Sequence, residues 1–163
     1  MNLIFYINMK QTETKPKCNC KVFKNHCNFH HEQRPIVTCK DKGSKVKYIY
    51  KNKDSNYLSI YRVDGGLIDN GAKCDYLLLN CEKQQSYFIE LKGSDLSHAI
   101  DQIDRSINIL KNDLSGFAFF ARIVLTRVNT TDLIDPKLIR LERKVNGLNG
   151  NLKKQTGLLE ESA

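Results

Sequence analysis

The sequence predicts an α/β domain, a mixed β-sheet that starts as an antiparallel meander and is flanked by helices. Three stretches carry that expectation. Residues 73–92 set two apolar runs around a polar centre, Cys81-Glu-Lys-Gln-Gln85, which reads as two strands and a turn. Leu96, Ala99, Ile100, Ile103, Ile107 and Leu110 recur at steps of three and four, the stripe of a helix with one apolar face. Phe117–Val128 is almost continuously apolar, as a strand covered on both faces is.

Taken in order, residues 1–45 lack clean periodicity and are punctuated by Pro16 and Pro35, so they read as a loop-rich, basic, Cys/His-rich N-terminal arm ahead of an α/β domain over 46–163. Val46–Tyr50 and Tyr57–Val63 carry β-branched and aromatic residues around the polar stretch 52–56, a first hairpin. Asp64–Ile68 is expected to continue its second strand. Asp69-Asn70-Gly71 is then a tight turn that places Gly66 opposite Asp75; Gly65-Gly66 reads equally as a bulge or bend. Asp64 is a further candidate acid. Ser94 is the expected N-cap of the helix, with Asp95 in its first turn. The apolar run after the helix should return parallel to an earlier strand, with Arg122 or Arg127 reaching outward at its ends. Asp135 and Pro136 announce a last helix, with a mixed stripe of Leu138, Ile139, Leu141, Glu142 and Val145 and with Lys137, Arg140, Arg143 and Lys144 outside it. Leu152–Leu159 reads as a short edge strand before a frayed acidic tail.

The chain has 163 residues and a net charge of +8 that is unevenly placed. Residues 1–53 hold 12 Lys and Arg against 3 Asp and Glu, a net +9, whereas residues 54–163 hold 14 against 15, a net −1. A basic segment on a neutral domain points to a polyanion partner, since clustered cations bind phosphate backbones without reading sequence. No stretch reaches the length of a membrane span, and the apolar opening Met1–Asn8 lacks a basic flank, so a cytoplasmic protein is expected. Without an export signal the six cysteines read as reduced thiols or metal ligands rather than disulfides. Cys18, Cys20 and Cys27 with His30 or His31 have the residue types for a tetrahedral zinc site, though C-x-C is the less usual opening. His98 reads as a solvated helix residue.

The chemistry concentrates in the hairpin of residues 73–92. With its turn centred between Glu82 and Lys83, antiparallel pairing sets Asp75 opposite Glu90, Cβ atoms roughly 5 Å apart. Glu90 and Lys92 share a face because strand side chains alternate, and Leu91 between them points into a core. Two carboxylates and an ammonium thus meet at one end of an otherwise apolar hairpin. Such a pair suits Mg²⁺, a hard cation that takes oxygen ligands.

Asp75, fourteen intervening residues and then Glu90-Leu91-Lys92, followed by a helix, resembles the PD-(D/E)XK nuclease superfamily. The resemblance covers roughly residues 57–128, and Cys74 stands where the motif's name has proline. It implies a restriction-endonuclease-like fold. Asp75 and Glu90 would be ligands for Mg²⁺ or Mn²⁺, joined by the backbone carbonyl of Leu91, with Lys92 as the catalytic lysine. Gln102, on the flank of the helix in line with Asp95 and Ser106, resembles the glutamine that helps hold the site in some branches. The activity that the resemblance implies is metal-dependent hydrolysis of DNA by an endonuclease, with a homodimer as the implied assembly. The alternative is a non-catalytic nucleic-acid-binding module that works through the basic, zinc-binding or metal-free arm.

Overall fold

The structure is a computed structural model that describes Phe23, residues 27–127 and residues 135–162, with backbone alone for 27–31. The elements in chain order are β1 (Cys27–Glu32), β2 (Ile36–Cys39), β3 (Lys47–Lys51), β4 (Leu58–Arg62), β5 (Tyr76–Asn80), β6 (Gln85–Lys92), α1 (Leu96–Leu110), β7 (Ala118–Leu125), α2 (Pro136–Gly147), β8 (Leu152–Thr156) and β9 (Leu158–Ser162). They form a six-stranded sheet in the order β1-β4-β5-β6-β7-β8 and a three-stranded sheet in the order β2-β3-β9. Both are mixed: β1, β4, β5 and β6 run antiparallel to one another, β6, β7 and β8 run parallel, and β3 pairs antiparallel with β2 and parallel with β9. The α/β expectation holds at this level.

The layering follows from β5, whose five residues Tyr-Leu-Leu-Leu-Asn are all buried. A strand with no polar face needs cover on both sides. Leu77, Leu79, Phe88, Ile123 and Leu125 pack against Ile100, Ile103 and Ile107 of α1 and Leu141 and Val145 of α2. The opposite face, with Leu78, Tyr87, Ile89 and Leu91, packs against Val37, Tyr48, Tyr50 and Leu159 of the small sheet. At about 25 cal/mol per Å² of apolar surface, these two cores supply the main drive to fold.

The small sheet changes several expectations. Val46–Tyr50 and Tyr57–Val63 contain strands but do not form a hairpin, because β3 and β4 belong to different sheets. The segment between them is a crossover wrapped on Asn52, whose amide donates to the carbonyls of Arg34 and Asn56 and accepts from the Asn56 N–H. Residues 27–39, expected in a loop-rich arm, form β1 and β2. The 152–159 edge strand is two strands separated by Gly157 at φ +76°, one joining each sheet. The acidic tail is therefore not frayed but paired alongside β3.

Asp64–Ile68 does not extend β4. Gly66, Leu67 and Ile68 turn back to bond the carbonyls of Val63 and Arg62, and a Cβ on Gly66 would lie 2.2 Å from the Arg62 carbonyl oxygen. Gly66 is thus a turn residue rather than the neighbour of Asp75, and the residue whose N–H bonds to the Asp75 carbonyl is Val63. The N-cap of α1 is Asp95, whose carboxylate accepts the His98 N–H, and not Ser94. The remaining elements lie where the sequence sets them. α1 buries the expected stripe, β7 lies parallel between β6 and β8, and α2 starts at Pro136 with Asp135 accepting the Lys137 N–H. No helix among the described residues is long and apolar enough to cross a membrane.

Candidate metal centre

β5 and β6 pair from Tyr76↔Ile89 to Asn80↔Gln85, the register expected from the turn. At the open end the ladder slips. The Asp75 N–H bonds to the Ile89 carbonyl, and the Asp75 carboxylate, not its carbonyl, takes the Leu91 N–H at 2.7 Å. That bond seats Asp75 directly beside Glu90. Glu90 alternates with Phe88 and so faces the α1 side of the sheet; it is 1% exposed. Lys92, one further step along the same face, brings Nζ to 3.7 Å from Glu90 Oε1. The structure therefore brings Asp75, Glu90 and Lys92 to one end of the hairpin.

Three side chains of α1 hold the segment that delivers Asp75. Gln102 Nε2 donates to the Lys73 carbonyl at 2.7 Å. Arg105 donates to the carbonyls of Asn70 and Ala72. Ser106 Oγ accepts the Cys74 N–H at 2.9 Å. Residues 102, 105 and 106 sit at helical steps of three and four and share a face. Gly71, at φ +80°, fits under Arg105, where a Cβ would meet the guanidinium carbon at 2.7 Å. Cys74, in the place of the motif's proline, is fully buried among the helix-side core residues.

The electrostatics favour a cation. Burial pushes the Glu90 carboxyl from an ordinary 4.5 up to about 8, helped by the Asp75 charge and opposed by Lys92. Burial also raises Asp75 from 3.8 to about 6, against the pull of the Leu91 N–H. Two buried acceptors here, Glu90 Oε2 and Gln102 Oε1, have no hydrogen-bond partner among the described residues. An unpaired buried acceptor costs about 1–3 kcal/mol, more when charged. A hard divalent cation satisfies such oxygens, and an all-oxygen donor set suits Mg²⁺ or Mn²⁺ better than zinc. Among the described residues no three His, Cys, Asp or Glu side chains gather as a metal cluster, so two carboxylates are the acidic core of this site.

Several expected residues have other roles. Arg122 does not reach outward: it is 1% exposed, donates two hydrogen bonds to the Glu161 carboxylate at 2.5 and 3.0 Å, and donates to the carbonyls of Ala121 and Asn151. It ties β7 to β9 from beneath the rings of Tyr87 and Phe120. Asp64 is mostly exposed and pairs with Lys73. His98 and Arg127 are exposed, His98 as expected. Of the zinc candidates, Cys18 and Cys20 lie outside the described residues, as do the side chains of Cys27, His30 and His31. Cys81 is disulfide-bonded, which corrects the expectation of reduced thiols for that residue; Cys39 and Cys74 are free and buried.

One neighbour escaped sequence reasoning. Asp41, in the β2–β3 connection, accepts from Arg62 at 3.1 Å and Tyr76 OH at 3.3 Å, and its charge raises both Asp75 and Glu90. No sequence signal marked it, because it sits in the lysine-rich stretch Lys40-Asp-Lys-Gly-Ser-Lys45 that reads as basic arm. No protein-family model matches the chain, and no curated protein or solved structure matches it either.

Proposed function

We propose that this chain is a metal-dependent nuclease of restriction-endonuclease-like fold that hydrolyses phosphodiester bonds of DNA at the Asp75–Glu90–Lys92 site. The observation that carries the reading is Glu90. It is a carboxylate buried at the end of a central strand, with one oxygen unpartnered, one lysine 3.7 Å away and a second carboxylate alongside. A fold that needed only stability would gain from an apolar residue here, because a buried carboxyl with an unpartnered oxygen costs free energy whether or not it ionises. Asp75 and Glu90 would hold Mg²⁺, and the Gln102 oxygen lies among the groups tied to the same segment. When bound, the ion would polarise a phosphoryl oxygen and make a water more acidic.

The residues of the chain supply the rest. Asp75 is fixed in orientation by the Leu91 N–H. Lys92 is partly exposed beside Glu90, the place from which an ammonium orients an attacking water and neutralises charge that develops on phosphorus. The α1 face of Gln102, Arg105 and Ser106 holds residues 70–74 still, so the two carboxylates meet without further ordering.

The test is incubation of the purified chain with plasmid, linear duplex, single-stranded DNA and RNA, each with Mg²⁺, Mn²⁺ or EDTA. Cleavage of DNA with either metal, absent in EDTA and absent for Lys92→Ala, is expected. Cutting that persists in EDTA, or equal cutting by Lys92→Ala, contradicts the proposal.

A further inference from the structure

We infer that the β2–β3 connection, with the groove along β2, is the surface that grips a nucleic-acid strand by its phosphates as the strand enters the carboxylate site. The inference rests on the nuclease reading for what the site does, but its geometry is independent of the motif residues. Residues 40–46 make a tight connection: the Ser44 N–H bonds to the Asp41 carbonyl, and Gly43 takes φ +77° with open space around it. Asp41 fastens this connection to the end of the sheet that carries the site: it accepts from Arg62 and Tyr76, and it lies near enough for its charge to act on both Asp75 and Glu90. The same connection carries Lys40, Lys42 and Lys45, all exposed, and none is in an ion pair within the described residues. Three lysines are therefore anchored, through Asp41, at the rim of a carboxylate pair.

Beside them runs a groove of about 340 Å³ between β2 and β4. Lys40, and Arg34 with its Nε on Glu32 at 2.7 Å, stand among its lining residues, together with Thr38, Ile36, Ile60 and the ring of Tyr76. Ile36 is 55% exposed, an apolar residue left uncovered between two cations. Cations spaced along an apolar and aromatic floor match a nucleic-acid strand, whose phosphates alternate with sugar and base surfaces. The chemistry does not suit an acidic metabolite in a closed pocket, because the groove is open and leads on to Tyr76. A phosphate backbone would also answer an electrostatic need. The Asp75–Glu90 pair, with the nearby Asp41 charge that raises both, repels a polyanion, and cations at the rim offset that repulsion.

The experiment measures binding of fluorescently labelled single-stranded and duplex oligonucleotides in EDTA, across a salt series, with cleavage in Mg²⁺ read separately. The variant is Lys40→Gln, Lys42→Gln and Lys45→Gln together, all at exposed positions. The control changes Lys53, Lys83 and Lys111 to Gln, which alters net charge equally at the opposite end of the sheet. The rim variant should bind at least about tenfold more weakly than parent and control. The slope of log affinity against log salt should fall by about 2–3, as expected for the loss of three phosphate contacts. A melting temperature equal to that of the parent shows that the variant is folded, and Lys40→Glu alone gives a second reading if it is not. Equal binding by rim variant and control overturns the inference even if the parent cuts DNA. A parent that binds through these lysines but never cuts overturns the nuclease reading and leaves the surface in place. A parent that neither binds nor cuts overturns both.

Discussion

Replacing Glu90 with Gln should make the protein more stable at pH 8 and less sensitive to pH. Burial carries the Glu90 carboxyl from 4.5 to about 8. The folded state therefore keeps a proton that the unfolded chain releases, and in metal-free buffer stability is greatest below the unfolded value and falls as pH rises towards 8. At 1.36 kcal/mol per tenfold, the loss between pH 6 and pH 8 is about 2 kcal/mol. Asp75, raised to about 6, adds a loss of the same sign at lower pH. Gln at position 90 keeps the shape and cannot ionise, so the fall between pH 6 and 8 should disappear. The lost contact with Lys92 offsets little, since that lysine is partly exposed. Urea denaturation in EDTA at a series of pH values measures this directly. Added Mg²⁺ should raise the parent most at pH 8, where the carboxylates are ionised, and leave Glu90→Gln almost unmoved. Parallel pH curves for the two proteins in EDTA would refute the reasoning, because they would mean that Glu90 ionises in the fold as freely as in water.

Other perturbations separate the scaffold from the site. Arg122→Met leaves Glu161 buried with Lys153 and Tyr48 as its remaining partners and should cost about 3 kcal/mol in urea denaturation; a loss under about 1 kcal/mol would show that the β7–β9 tie is dispensable. Gly71→Ala must accept a side chain at φ +80° against Arg105, so it should lose about 1–2 kcal/mol and lower the cleavage rate together, and unchanged cleavage would count against the role of residues 70–74 in placing Asp75. Lys92→Ala should reduce cleavage at least about a hundredfold while the Mg²⁺-induced rise in melting temperature persists, since the lysine is a neighbour of the cation and not a ligand.

The parts of the fold that were legible in the sequence are those whose partners are near in the chain. The β5–β6 register followed from a short polar turn between two apolar runs, and the α1 stripe and the Asp135–Pro136 start of α2 followed from local periodicity and capping. The small sheet was not legible because its pairings are distant: β3 meets β9 across more than a hundred residues, as the Tyr48–Glu161 bond shows. No local pattern says which strand a strand will join. Arg122 was misread for a related reason. An arginine inside an apolar run needs a buried carboxylate, and the tail Glu160-Glu161 offered one, but only β9 explains why it arrives there. At the site, Asp75, Glu90 and Lys92 were readable because one hairpin carries all three. Asp41 and Arg105 were not, since each reaches the site from a separate element.

The central claim is that Asp75 and Glu90 share a divalent cation, and Mn²⁺ titration followed by electron paramagnetic resonance tests it most directly. Free Mn²⁺ gives a sharp spectrum that is lost on binding, so the bound equivalents are counted without reference to any substrate. The parent and Lys92→Ala should each take up Mn²⁺ at this site, with affinity rising from pH 6 to pH 8 as the carboxyls ionise, and Mg²⁺ should compete for it. Glu90→Gln should bind at least about tenfold more weakly. Equal Mn²⁺ uptake by parent and Glu90→Gln, or none by the parent at pH 8, would contradict the account.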